Sequence, residues 1–200
     1  MITKKPLIDK NVIISDVKAA ETKAETQLER NYGDKPCCVE DFLCRQIDHE
    51  FGNESLYLAM SIWCTNNGYY ETAKFFNAQS TEERSHGISF INFMAKRGMT
   101  VHTPKYEVVA TDFSNIKDVM EKSLVREIET TKMISEIHQE AMKTSDVTMV
   151  IADEFLKEQM EEEQLFISLN NLVDMCNGNK IDFEMEIHAL VGGKYKVGEV

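Results

Sequence analysis

From Cys38 to Asn66 (CVEDFLCRQIDHEFGNESLYLAMSIWCTN) apolar residues recur at the spacing of one helix face. The same spacing runs from Tyr69 to about Arg97, from Ser114 to about Lys143, and from Ser145 to about Cys176. Asn66-Asn67-Gly68 stops the first segment, Gly98 the second and Asn177-Gly178-Asn179 the fourth. Ser114 reads as the N-cap of the third helix, and Ser145-Asp146 restarts the chain into the fourth. Residues 99–113 (MTVHTPKYEVVATDF) hold Pro104 and β-branched residues without a helical period, so they read as a long connection. A short fifth helix is expected from about Ile181 to Leu190, before Gly192-Gly193.

Each long segment would form a helix of about 43 Å at ~1.5 Å per residue. Two hairpins of equal long helices joined by a crossover describe an all-α, up-down-down-up four-helix bundle with a short C-terminal helix. A helical repeat array would need a shared signature recurring every ~30–50 residues, and the sequence carries none.

The inner faces carry the chemistry. The first helix presents Leu43, Ile47, Glu50, Glu54, Tyr57, Ser61 and Cys64. The second presents Phe76, Gln79, Glu83, His86, Phe90 and Phe93; the third Met120, Leu124, Glu127, Thr131 and Ile134; the fourth Phe155, Gln159, Glu162, Phe166, Leu169 and Val173. Each stripe is apolar at its ends and acidic in its middle. The levels agree: Glu50 and Glu83 are 33 residues apart across one turn, Glu127 and Glu162 are 35 apart across the other. Both layers therefore fall about 25 Å from their turns. Glu83 and His86 share a face at i, i+3.

Bare carboxylates in a bundle interior would each cost several kcal/mol or take up a proton. A pair of divalent cations removes that cost, because carboxylates bridge metals and imidazole supplies a nitrogen ligand. Di-iron bundles use one Glu from each of two helices and Glu-x-x-His from each of the other two. Here Glu50 and Glu127 are the single carboxylates and Glu83-Arg84-Ser85-His86 is one motif, while Gln159-Met160-Glu161-Glu162 replaces the second.

Composition narrows the reading. Lys plus Arg number 22 against 34 Asp plus Glu, a formal net charge of -12. Such a balance argues against nucleic-acid backbone binding and fits cation binding. The 42% hydrophobic content is spread too evenly for a membrane span. The five cysteines form no C-x-x-C pair, as expected of free thiols in a reducing, cytoplasmic setting. Residues 1–35, with seven basic and six acidic residues, differ from the acidic remainder and read as an N-terminal extension holding a marginal helix over Ser15–Tyr32. Residues 36–200 form the bundle domain.

The stretches DHEFGNESLYLAMSIWC, FFNAQSTEERSHGISFINFM and FLKEQMEEEQLF resemble the prokaryotic, non-haem type of ferritin, from about Pro36 to Leu190. That resemblance implies iron storage and detoxification by a ferroxidase in a homo-oligomeric, 24-subunit cage, with Fe2+ and O2 or peroxide as substrates and no nucleic-acid or membrane partner. It implies a first iron site of Glu50, Glu83 and His86, and a second of Glu83, Glu127 and Glu162, with Glu83 shared. It implies catalytic roles for Tyr57, as a hydrogen-bond donor to Glu127 or an electron source, and for Gln159, on the side where O2 enters. Glu82, Glu158 and Glu161, with Glu162, resemble a third iron site. Arg84 and Ser85 stand where bacterioferritins place a haem-ligating Met, so no haem is expected. The alternative reading is a smaller ferritin-like di-iron oxidase or peroxidase that stores no iron; a third is a bundle whose Glu layer is solvated and metal-free.

Overall fold

The structure, a computed structural model, describes residues 38–106 and 112–191. The extension read over residues 1–35 and the tail beyond Val191 lie outside the described residues. The described residues hold five helices: α1 Cys38–Asn66, α2 Tyr70–Lys96, α3 Ile116–Thr144, α4 Thr148–Met175 and α5 Lys180–Val191. Among the described residues there is no strand. α1 packs along α2, α3 along α4, and α1 against α3, while α5 lies against α2 and α4.

The expected stops hold. Gly68 closes the α1–α2 turn at φ +73°, a left-handed geometry that favours glycine. Two starts differ. Asn115, not Ser114, caps α3: its side chain accepts from the Asp118 N–H at 3.0 Å, and Asp118 Oδ2 accepts from the Ser114 N–H at 2.9 Å. Asn is at least as good a cap as Ser, and Asp118 also ties down the N–H of the residue before the cap. Ser145 ends α3 in a left-handed conformation (φ 54°) and does not begin α4. Instead Asp146 Oδ1 accepts from the Thr148 N–H and hydroxyl at 2.7 and 2.6 Å, so the second half of the Ser-Asp pair makes the restart.

The core has two apolar clusters with a polar layer between them. One holds Tyr57, Met60, Phe75, Phe76, Met120, Phe166 and, from α5, Phe183 and Ile187. The other holds Leu43, Ile47, Phe51, Phe90, Met94, Ile134 and Phe155. α5 is also tied to the start of α2: Glu184 accepts from the N–H groups of Glu71 at 2.6 Å and Thr72 at 3.1 Å, and from the Thr72 hydroxyl. These are orphan donors of a helix start, and a carboxylate there also meets the positive end of the helix dipole.

Candidate metal centre

The polar layer is almost dry. Glu50 is 0% exposed, Glu127 2%, and Glu83 and Glu162 5% each. All four long helices thus contribute a buried carboxylate at one level, as their apolar flanks require.

α1 and α2 bring a buried group together. One ligand atom from each of Glu50, Glu83 and His86 lies within 4.8 Å of the others. The approach depends on Gly87, beside His86. A Cβ there would stand 2.7 Å from Phe51 Cε2 and 3.4 Å from Glu50 Cβ, so only hydrogen lets the helices meet this closely. A second group, Glu82, His86 and Glu158, meets the same 4.8 Å spacing. His86 belongs to both: Nδ1 lies 3.9 Å from Glu83 Oε2, and Nε2 lies 3.4 Å from Glu158 Oε1. Its ring stands edge-on to Phe155, centroids 5.3 Å apart.

Glu127 is held from two sides. Tyr57 donates to its Oε1, and Gln159 Nε2 donates to its Oε2 at 2.6 Å. Tyr57 is itself packed in a triangle of rings with Phe76 and Phe166, each stacked at 5.8 Å from it and 6.5 Å from one another. Glu162 is buried in the same layer and contributes to the field on Tyr57 and Glu127. Glu82 is half-buried and accepts from Gln79 at 2.7 Å. Glu161 is exposed and belongs to neither group of ligand atoms.

The protonation pattern follows from burial and crowding. Burial, then the facing Glu83 charge, pushes Glu50 well above the usual carboxylate range. Burial also opposes ionisation of Glu83, but His86, Glu50 and Asn53 outweigh it and hold Glu83 below that range. For His86, burial disfavours the cation; Glu158 and Glu83 overcome it and raise the imidazole to about 11. Burial and the Glu83 charge lift Glu127 to about 8, against the hydrogen bonds from Tyr57 and Gln159. Protons therefore occupy the carboxylate layer where a cation would otherwise balance it. Glu50 Oε2 is buried without a hydrogen-bond partner, a lone pair that a metal ion would use. A set of carboxylate oxygens with one imidazole suits a first-row divalent ion such as Fe2+.

Several residues around the layer gave no signal in the apolar pattern. Gln46 donates to Glu50 Oε1 at 2.7 Å, and Asn53 donates to Glu83 Oε2 at 3.1 Å. Behind them the buried His49 and Thr130 and the partly buried Arg126 form a further polar layer between α1 and α3. Gln46 and Asn53 sit at i−4 and i+3 from Glu50, so helical spacing alone places them on its face.

The ferritin-like domain family matches residues 40–176. The chain belongs to that family. Its ferritin relatives include the bacterial non-heme ferritin of Staphylococcus saprophyticus, 33% identical over 142 residues, which cover 68% of this chain and 85% of the relative. The bacterial non-heme ferritin of Staphylococcus aureus is 33% identical over 122 residues, covering 60% and 74%. Among solved ferritins, the open pore ferritin of Archaeoglobus fulgidus superposes with a TM-score of 0.73 at 24% identity, covering 76% of this chain and 94% of that one. An iron-soaked variant of the ferritin PmFTN superposes with a TM-score of 0.68 at 27% identity, covering 70% and 90%. Among the described residues no ferritin helix is long and apolar enough to cross a membrane.

Proposed function

We propose that this ferritin-family chain is a cytoplasmic, non-haem iron-storage subunit that oxidises Fe2+ with O2 or peroxide and assembles into a 24-subunit cage that keeps the Fe3+ product as mineral. The observation that carries this reading is the buried Glu50–Glu83–His86 group, with an unpartnered Glu50 oxygen, in a layer that also holds Glu127 and Glu162. The names of the bacterial relatives support the storage role.

Fe2+ is the substrate. Glu50, Glu83 and His86 would hold one ion, and Glu83, Glu127 and Glu162 a second, with Glu83 shared. Each Fe2+ gives up one electron, so a pair reduces the oxidant by two. Oxygen-rich ligation favours the harder ferric product. Binding must first displace the protons held by Glu50, Glu127 and His86. Tyr57 and Gln159 hold the Glu127 carboxylate in orientation from opposite oxygens, and the buried phenol stands close enough to serve as an electron source. Glu82 and Glu158, beside His86, with Glu161 and Glu162, form the proposed third iron site.

The test is aerobic loading with excess Fe2+, followed by size exclusion with iron and protein quantified across the peak. A species near 550 kDa, the mass of ~24 chains of 22.9 kDa, retaining tens of irons per subunit is the expected result. A small oligomer retaining only two or three would replace storage with the oxidase reading. An iron-free peak would overturn both.

A further inference from the structure

The buried layer behind the candidate centre ends on Glu83. The Thr130 oxygen lies 3.0 Å from the Arg126 carbonyl, to which its hydroxyl can donate, and 2.8 Å from His49 Nε2, a contact whose direction follows the ring tautomer. Asn53 Nδ2 donates to the same oxygen at 3.3 Å. The other hydrogen of the Asn53 amide goes to Glu83 Oε2 at 3.1 Å. On its far side Asn53 Oδ1 accepts from Arg126 Nε.

This arrangement fixes the amide in one orientation. Turning it over would face Oδ1 with the Glu83 carboxylate and the NH2 group with the Arg126 guanidinium, like against like at both ends. Asn53 is thereby barred from offering its oxygen to a metal ion, and faces Glu83 as a donor. Asn53 is 0% exposed, so water cannot replace it. Arg126 reaches in from the surface, where its Nη1 lies 3.4 Å from Glu129.

We infer that Asn53, locked by Arg126, is a positioning residue for Glu83: it pins one carboxylate oxygen and so sets the orientation in which Glu83 serves both metal positions. The inference rests on the iron-site reading proposed above, which makes Glu83 the shared ligand. Partners of this kind orient ligands, and their loss typically weakens metal binding by ~10–100-fold. Arg126 acts only through Asn53, so removing both should cost no more than removing Asn53.

The experiment titrates the assembled, iron-free protein with Co2+ under conditions where it stays divalent. The cobalt absorption bands report the number of ions bound and their coordination, independent of turnover. Circular dichroism confirms that each variant folds. Asn53→Ala should weaken Co2+ binding about tenfold or more and alter the bands. Arg126→Met keeps the apolar stem but removes the donor, and should give a smaller change in the same direction. The double variant should match Asn53→Ala. Should Asn53→Ala fail to fold, Arg126→Met carries the test alone. A parental isotherm and spectrum for whichever of these variants folds would overturn the inference, as would losses that add in full. Glu83→Ala, run beside them, separates the two levels. If it abolishes Co2+ binding while Asn53→Ala is parental, only the positioning role falls; if Glu83→Ala also binds Co2+ as the parent does, the iron-site reading falls with it.

Discussion

Tyr57 on α1 donates its phenolic hydrogen to Glu127 on α3, across the bundle and inside the carboxylate layer. Burial, followed by the Glu127 charge, raises the phenol well above its ordinary pKa, so it remains a donor through the neutral range. The stacked Phe76 and Phe166 rings hold it with or without its hydroxyl. Tyr57→Phe should therefore fold and still bind metal, but oxidise Fe2+ with altered kinetics. Stopped-flow oxidation traces identical to the parent's would remove the role given to this hydroxyl.

Two groups make the metal-free protein sensitive to alkali. Glu127 is raised from 4.5 to about 8 and His86 from 6.5 to about 11. The native state thus holds more protons than the unfolded chain between pH 6.5 and pH 8, and stability must fall as pH rises through that window. Metal binding reverses the sign, since the ion replaces the protons and its affinity grows with pH. Thermal melts of metal-free protein across this window, and calorimetry of Co2+ binding in buffers of different ionisation heat, check both halves. A melt that rises with pH, or binding without proton release at neutral pH, would refute the protonation pattern.

Gly87→Ala places a methyl group 2.7 Å from Phe51 Cε2 and 3.4 Å from Glu50 Cβ. Alanine's better helix propensity recovers up to ~1 kcal/mol. Overpacking costs typically ~1–3 kcal/mol. The expected outcome is a net loss of stability of about 1 kcal/mol, with weaker Co2+ binding as α1 and α2 separate. Denaturant melts showing a stabilised protein would mean that Phe51 swings aside freely and the close approach is not needed.

Glu184→Ala removes the cap that α5 supplies to α2. Loss of such a cap costs about 1 kcal/mol, and the Glu71 and Thr72 N–H groups are left to water. Hydrogen exchange should quicken at those two amides and through α5, while α3 and α4 keep their protection. Exchange unchanged at those two amides and through α5 would show that α5 docks by Phe183 and Ile187 alone.

The reach of the sequence is clearest at the paired levels of Glu50, Glu83, Glu127 and Glu162. Helical geometry has one rise and one period, so counting from the turns predicts the layer that the structure then shows buried. At two helix starts the local signal was off by one residue, because Ser114 and Asn115, or Ser145 and Asp146, are equal as local signals. Which one caps is settled by the bonds that Asp118 and Thr148 make.

What the sequence determined by itself was the all-helical architecture and the carboxylate layer, since both are written in spacing along single helices, and the family, through the residue stretches that resemble it. What only the tertiary structure decided was the set of contacts between helices. The sharing of His86 by Glu83 and Glu158, the fit of Gly87 against Phe51, the two donors on Glu127 and the Arg126–Asn53–Glu83 chain all join residues from different segments. Periodicity names the face a side chain occupies; it carries no term for the rotamer it takes or for the atom that meets it across the bundle.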